Sequence, residues 1–153
     1  MKKVLTTALF AATGLLAIGQ VNAAATSTQF QVKIEVLSTC SVNATDIDFG
    51  SVNSGVAATD KNGTLNVTCT NQTPYTVGLS SSGAMKHSTD QTATIAYQLF
   101  QSNGTTEWNN ESNKYSGVGS GNAQQIPVLA KVSGSTNVRA GNYADTVTAT
   151  VTY

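Results

Sequence analysis

Hydrophobic residues recur at every second position along most of this chain, and that period decides what it can fold into. Phe30, Val32, Ile34 and Val36 alternate with Gln31, Lys33 and Glu35. Leu65, Val67 and Cys69 alternate with Asn66, Thr68 and Thr70, and Tyr75, Val77 and Leu79 with Thr76, Gly78 and Ser80. Ile95, Tyr97 and Leu99 form a further set, as do Ile126, Val128, Ala130 and Val132, where Pro127 marks an edge or a bulge. The last set is Val147, Ala149, Val151 and Tyr153 against Thr146, Thr148, Thr150 and Thr152. Successive side chains of an extended backbone point to opposite faces, so each run carries one apolar face. Period two with many β-branched residues predicts half-buried strands, and no long segment repeats at helical spacing.

Clusters of Gly, Asn and Ser punctuate the runs at Lys61-Asn62-Gly63, Ser81-Ser82-Gly83, Ser102-Asn103-Gly104 and Ser133-Gly134-Ser135. Such residues reach positive φ cheaply and predict turns. The stretch from Gly104 to Asn122 is polar and predicts a surface excursion. Short strands with this punctuation predict an all-β sandwich of the immunoglobulin class.

The N-terminus carries a different signal. Lys2 and Lys3 precede an apolar run from Val4 to Ile18, and Val21-Asn22-Ala23 places small residues where a signal peptidase cuts. The run falls short of the roughly 20 apolar residues that span a bilayer. Residues 1–23 are therefore read as a signal peptide, with Ala24 and Ala25 as neighbouring cleavage alternatives. The mature chain retains six Lys plus Arg against eight Asp plus Glu. This mildly acidic balance lacks the basic clusters that nucleic acid or anionic lipid would require. Cys40 and Cys69 form an even pair in an exported chain, and the oxidising compartment favours a disulfide over two buried thiols. The bond would restrict the unfolded chain by roughly 3.5 kcal/mol in the loop-entropy model.

The two ends pose a strand-counting problem. A seven-stranded sandwich calls for a closing strand after Tyr143–Tyr153, where this sequence stops. The expectation is a six-stranded, incomplete sandwich whose terminal strand borders an unfilled groove. An open apolar edge of this kind invites another strand. Residues 24–36, ahead of the domain expected at 37–153, offer a strand with four large apolar side chains at alternate positions. Periodicity alone allows that segment to complete a neighbouring subunit or to be used within its own chain.

Sites for chemistry are sparse. The single histidine, His87, lies in a polar stretch and reads as an exposed loop residue. A catalytic triad would need His87 fixed by a carboxylate such as Asp90 and facing a strained serine. One histidine and two oxidised cysteines leave too few ligands for zinc. Asp46 and Asp48 share a face if extended, yet a solvated strand entry explains them. Gly117-Val118-Gly119-Ser120-Gly121 lacks the lysine and helix of a phosphate loop. No enzyme, metal site or cofactor is predicted. Trp108 and Tyr115 in the long excursion either lid the sandwich or stack on a sugar.

The segments Cys40-Ser41-Val42, Ile47-Asp48-Phe49-Gly50, LNVTCTNQTPYTVGLS at 65–80, IAYQLF at 95–100, Glu107-Trp108 and AGNYADTVTATVTY at 140–153 occur in this order. Together they resemble the spore coat protein U domain family, which includes subunits of archaic chaperone–usher pili. The resemblance covers nearly the whole mature chain. It implies an immunoglobulin-like sandwich lacking its last strand, completed first by a periplasmic pilus chaperone and then, at an outer-membrane usher, by a sister subunit. It implies transit through the periplasm to a cell-surface fibre that serves adhesion or biofilm formation. On this resemblance Phe30, Val32, Ile34 and Val36 match the donor segment. The strand with Val147, Ala149, Val151 and Tyr153 borders the acceptor groove, and Cys40 and Cys69 match the family's disulfide. The donor register stays open, because the segment runs into Cys40 with little spacer. A tip adhesin or carbohydrate-binding module, and a coat or matrix protein that does not polymerise, are the competing expectations.

Overall fold

The computed structural model describes residues 23–153, so nearly all of the signal-peptide reading lies outside the described residues. Residues 23–39 form neither helix nor strand. Phe30 and Ile34 are 85% and 90% exposed, and Val32, Val36 and Leu37 are also exposed. Among the described residues, 30–36 take part in no strand, since an extended segment becomes one only when an edge pairs with it.

From Cys40 onward the alternating runs become strands. They are β1 (Cys40–Ala44), β2 (Lys61–Cys69), β3 (Pro74–Ser80), β4 (Ala84–His87), β5 (Thr94–Phe100), β6 (Tyr115–Val118), β7 (Ala123–Val132), β8 (Tyr143–Ala144) and β9 (Thr148–Thr152). All pairings are antiparallel. One sheet runs β1-β2-β7-β5-β4-β8 and the other β6-β3-β9. The all-β, immunoglobulin-like expectation holds, and the short strands β4, β6 and β8 extend it.

The core lies between the sheets and is made by the inward half of each alternating run. Leu65 and Val67 come from β2, Tyr75, Val77 and Leu79 from β3, Tyr97 and Leu99 from β5, and Ile126, Val128 and Ala130 from β7. Burying such a side chain is worth roughly 1.5–3 kcal/mol, and the outward Thr, Asn and Gln residues keep the other faces wet. Cys40 stands directly opposite Cys69 in the β1–β2 register, and the two form a disulfide. It ties the first strand to the core at Cys69, which is buried.

Four local expectations need correction. Lys61-Asn62-Gly63 is the start of β2, because each of the three residues has a partner in β7. Gly63 serves there as a seat: a Cβ would come within 2.5 Å of Ile47 Cγ1, so the missing side chain makes room for Ile47. Pro127 lies in a central strand, but β5 pairs only with residues 129–132 of β7, so Pro127 sits just past the end of that ladder. The run Tyr143–Tyr153 is two strands in different sheets, with residues 145–147 crossing between them. The excursion from Gly104 to Asn122 contains β6, which pairs with β3.

Candidate functional site: an open cleft between the sheets

Between the two sheets lies a cleft of about 400 Å³. Its floor is apolar, built from Leu65, Leu79, Leu99, Val128, Phe49 and Ala149. These are core side chains of β2, β3, β5 and β7 seen from the open side, joined by residues from the stretch after β1 and from β9. The lining also takes in Thr45-Asp46, where the chain leaves β1, and Asp145-Thr146, where it crosses from β8 to β9. β9 pairs with β3 on one side and is the edge of its sheet among the described residues. Its other edge carries backbone N–H and C=O groups that a further strand could pair.

The crossover is held by Asp145. One of its carboxylate oxygens, Oδ2, accepts hydrogen bonds from the Tyr97 hydroxyl at 2.7 Å and the Ser82 amide at 3.1 Å. Burial, together with the neighbouring Asp145 carboxylate, pushes the Tyr97 hydroxyl up to about 12. Burial alone would raise the Asp145 carboxyl, but the hydrogen bonds from Tyr97, Ser82 and the Thr146 amide outweigh it and hold the carboxyl below the usual carboxylate range. Asp145 is therefore an anion at neutral pH.

Of the predicted strand-edge residues, Val147 and Ala149 line the cleft. Val151 instead packs against the core opposite Val77, and Tyr153 is exposed past the end of β9. Asp145 stands out in the sequence only as part of the 140–153 segment, since a lone acid between Ala144 and Thr146 carries no pattern. Ile47 and Phe49 were noticed only as part of a familiar segment, because they lie in a non-strand stretch where period two gives no facing.

His87 is buried on β4, contrary to the exposed-loop expectation. Its polar neighbours in sequence fold back to bond it, which is why a polar context misled. Nδ1 accepts from the Thr89 and Asp90 amides at 3.1 and 3.2 Å, and Nε2 donates to the Ala140 carbonyl at 3.2 Å. Both ring nitrogens are thus engaged by backbone. Trp108 is buried, and its Nε1 donates to the Val77 carbonyl at 2.8 Å. Of its two predicted roles it takes that of a lid, packing against Tyr115 at 5.8 Å between ring centroids. Asp48 closes a local turn by accepting the Gly50 amide at 2.7 Å. Among the described residues no three His, Cys, Asp or Glu side chains converge as a metal site would require.

The cleft thus combines a largely apolar lining with a strand, β9, that pairs on one side only among the described residues. The Spore Coat Protein U domain model matches residues 26–150, and the chain belongs to that family. A sequence search of curated proteins gives no match. Among solved structures, the fold is similar to that of a chain in the CsuC–CsuE chaperone–tip adhesion subunit pre-assembly complex from the archaic chaperone–usher Csu pili of Acinetobacter baumannii. The identity is 25% and the TM-score 0.62, over 77% of this chain and 40% of that one.

Proposed function

We propose that this protein is a structural subunit of a secreted surface pilus, assembled by the chaperone–usher route through donor-strand exchange. The carrying observation is the apolar cleft beside the unpaired edge of β9. Residues 1–23 serve as the signal peptide, 24–36 as the donor segment and 37–153 as the sandwich. A periplasmic chaperone fills the cleft first. At the outer-membrane usher the Phe30, Val32, Ile34 and Val36 face of a sister subunit replaces it, and the fibre reaches the cell surface for adhesion or biofilm formation. The family match and the likeness to a subunit complex of Csu pili support this reading.

The energetics suit a durable joint. Four such side chains, fully buried, contribute on the order of 6–12 kcal/mol, and ordering the free segment offsets part of that. The contact is head-to-tail and heterologous, so growth remains open. Sugar stacking by Trp108 at a fibre tip loses its support, because the ring is spent on the core.

Deleting residues 24–36 tests the proposal. The truncated chain is expected to be captured by its chaperone and to build no fibres under the electron microscope. Fibres of normal length from the truncated chain would remove the donor role.

A further inference from the structure

We infer that Asp46 and Asp145, which both line the cleft, recognise Lys33 of a second copy and so fix the register in which its segment 30–36 docks. The inference rests on the strand-acceptor reading above and adds to it a determinant that apolar burial does not supply.

Apolar alternation excludes only half of the wrong registers. A one-residue slip turns Phe30, Val32, Ile34 and Val36 away from the floor and is strongly disfavoured. A two-residue slip keeps the apolar face inward. Val32, Ile34 and Val36 are all β-branched, so most of the floor stays covered after such a slip. What changes is the outward series Gln31, Lys33, Glu35, which reads neutral, positive, negative. Residues two apart on a strand lie about 6.7 Å from each other. A two-residue slip therefore moves the Lys33 ammonium beyond the roughly 4 Å of an ion pair and puts Gln31 or Glu35 in its place.

The two cleft carboxylates can tell these registers apart. Asp46 and Asp145 are the charged side chains lining the cleft, and no Lys, Arg or His lines it. Lys86 pairs with Ala144 from β4, but its side chain is exposed and lies outside the cleft lining. Asp145 is kept ionised by its hydrogen bonds with Tyr97 and Ser82. In the correct register Lys33 meets two carboxylates over an apolar floor. In one slipped register Glu35 meets them, and like charges in direct opposition destabilise a strand pair.

Synthetic peptides of residues 24–37, labelled at the N-terminus, are titrated with the full secreted chain and followed by fluorescence anisotropy. Lys33→Glu is expected to weaken binding about tenfold at low salt and Lys33→Gln about threefold, with both penalties shrinking as ionic strength rises. Glu35→Gln should bind at least as tightly as the native peptide. On the acceptor, Asp46→Lys changes an exposed side chain and should reverse the preference, so that the Lys33→Glu peptide binds better than the native one. A photo-crosslinker at position 32 should label one place in the chain with the native peptide and two places with Lys33→Gln. Equal affinities for the native and Lys33→Glu peptides across the salt series, or additive effects of Lys33→Glu and Asp46→Lys, would overturn the inference while leaving strand acceptance intact. Failure of the native peptide to bind at all would instead overturn the strand-acceptor reading and this inference with it.

Discussion

At the residue scale the fold turns on a few polar side chains that hold backbone where period two gives out. Asp145 is the clearest of them, since it pins the crossover between sheets to Tyr97 and Ser82. Its carboxyl is held below the ordinary carboxylate range in the folded chain. A depressed folded pKa stabilises above the unfolded value near pH 4 and loses that contribution as pH falls through the folded value. Asp145→Asn is therefore expected to lower unfolding free energy at pH 7 by about 1 kcal/mol, a charge-assisted bond discounted for solvent screening of a partly exposed group. The penalty should shrink steadily below about pH 4. Asp90, whose carboxyl is also held below the ordinary range, chiefly by its hydrogen bonds with Thr92, remains in the variant. The acid slope should accordingly flatten rather than vanish. Urea unfolding at several pH values checks this, and a variant whose acid slope matches the native chain would count against Asp145 as the crossover's anchor. Nothing local in the sequence marked this residue, and the polar surroundings of His87 pointed the wrong way. In both cases the partner is far away along the chain or is backbone, which a reading of neighbours does not reveal.

At the scale of elements, legibility followed burial. β2, β3, β5, β7 and β9 contribute core side chains, and each stood out as an alternating run. β4, β6 and β8 are two to four residues long, too short for a period to declare itself. The same limit hid the break at residues 145–147, because β8 is only two residues long and the alternation that begins at Val147 runs straight on through β9. That break alters what the terminal strand is expected to do. Val151 faces the core opposite the fully buried Val77, whereas Val147 is 39% exposed and lines the cleft. Val151→Asp should cost about 2–3 kcal/mol of stability, since it puts a carboxylate against packed apolar groups. Val147→Asp should leave the stability of the isolated chain within about 0.5 kcal/mol. It should nevertheless sharply weaken binding of the 24–37 peptide. Thermal melts separate the first effect and peptide titration the second. If Val147→Asp bound the peptide normally, the cleft would not be the acceptor.

At the scale of the whole molecule, the sandwich has a core that is closed at one end and open at the other. At the closed end the disulfide joins β1 to β2, and Gly119 lets the β6 end approach the β2–β3 turn. The Gly119 amide donates to the Thr73 carbonyl, and a Cβ there would run into the Thr70 carbonyl. At the open end Leu65, Leu79, Leu99 and Val128, although almost fully buried, line the cleft. Stability should therefore depend on what occupies the cleft, and the dependence has a definite form. An occupant that binds only the folded state adds RT ln(1 + [L]/Kd), about 2.7 kcal/mol at a hundredfold excess over Kd. For a domain of this size that raises Tm by roughly 10 °C. Calorimetric melts of the chain with increasing 24–37 peptide should show Tm climbing with the logarithm of peptide concentration and no plateau in the accessible range. A scrambled peptide of the same composition keeps the hydrophobic content but loses the alternation, so it should leave Tm where it was. Equal shifts from both peptides would mean that the open end responds to apolar content alone, and recognition of a strand would no longer explain why the core stays open.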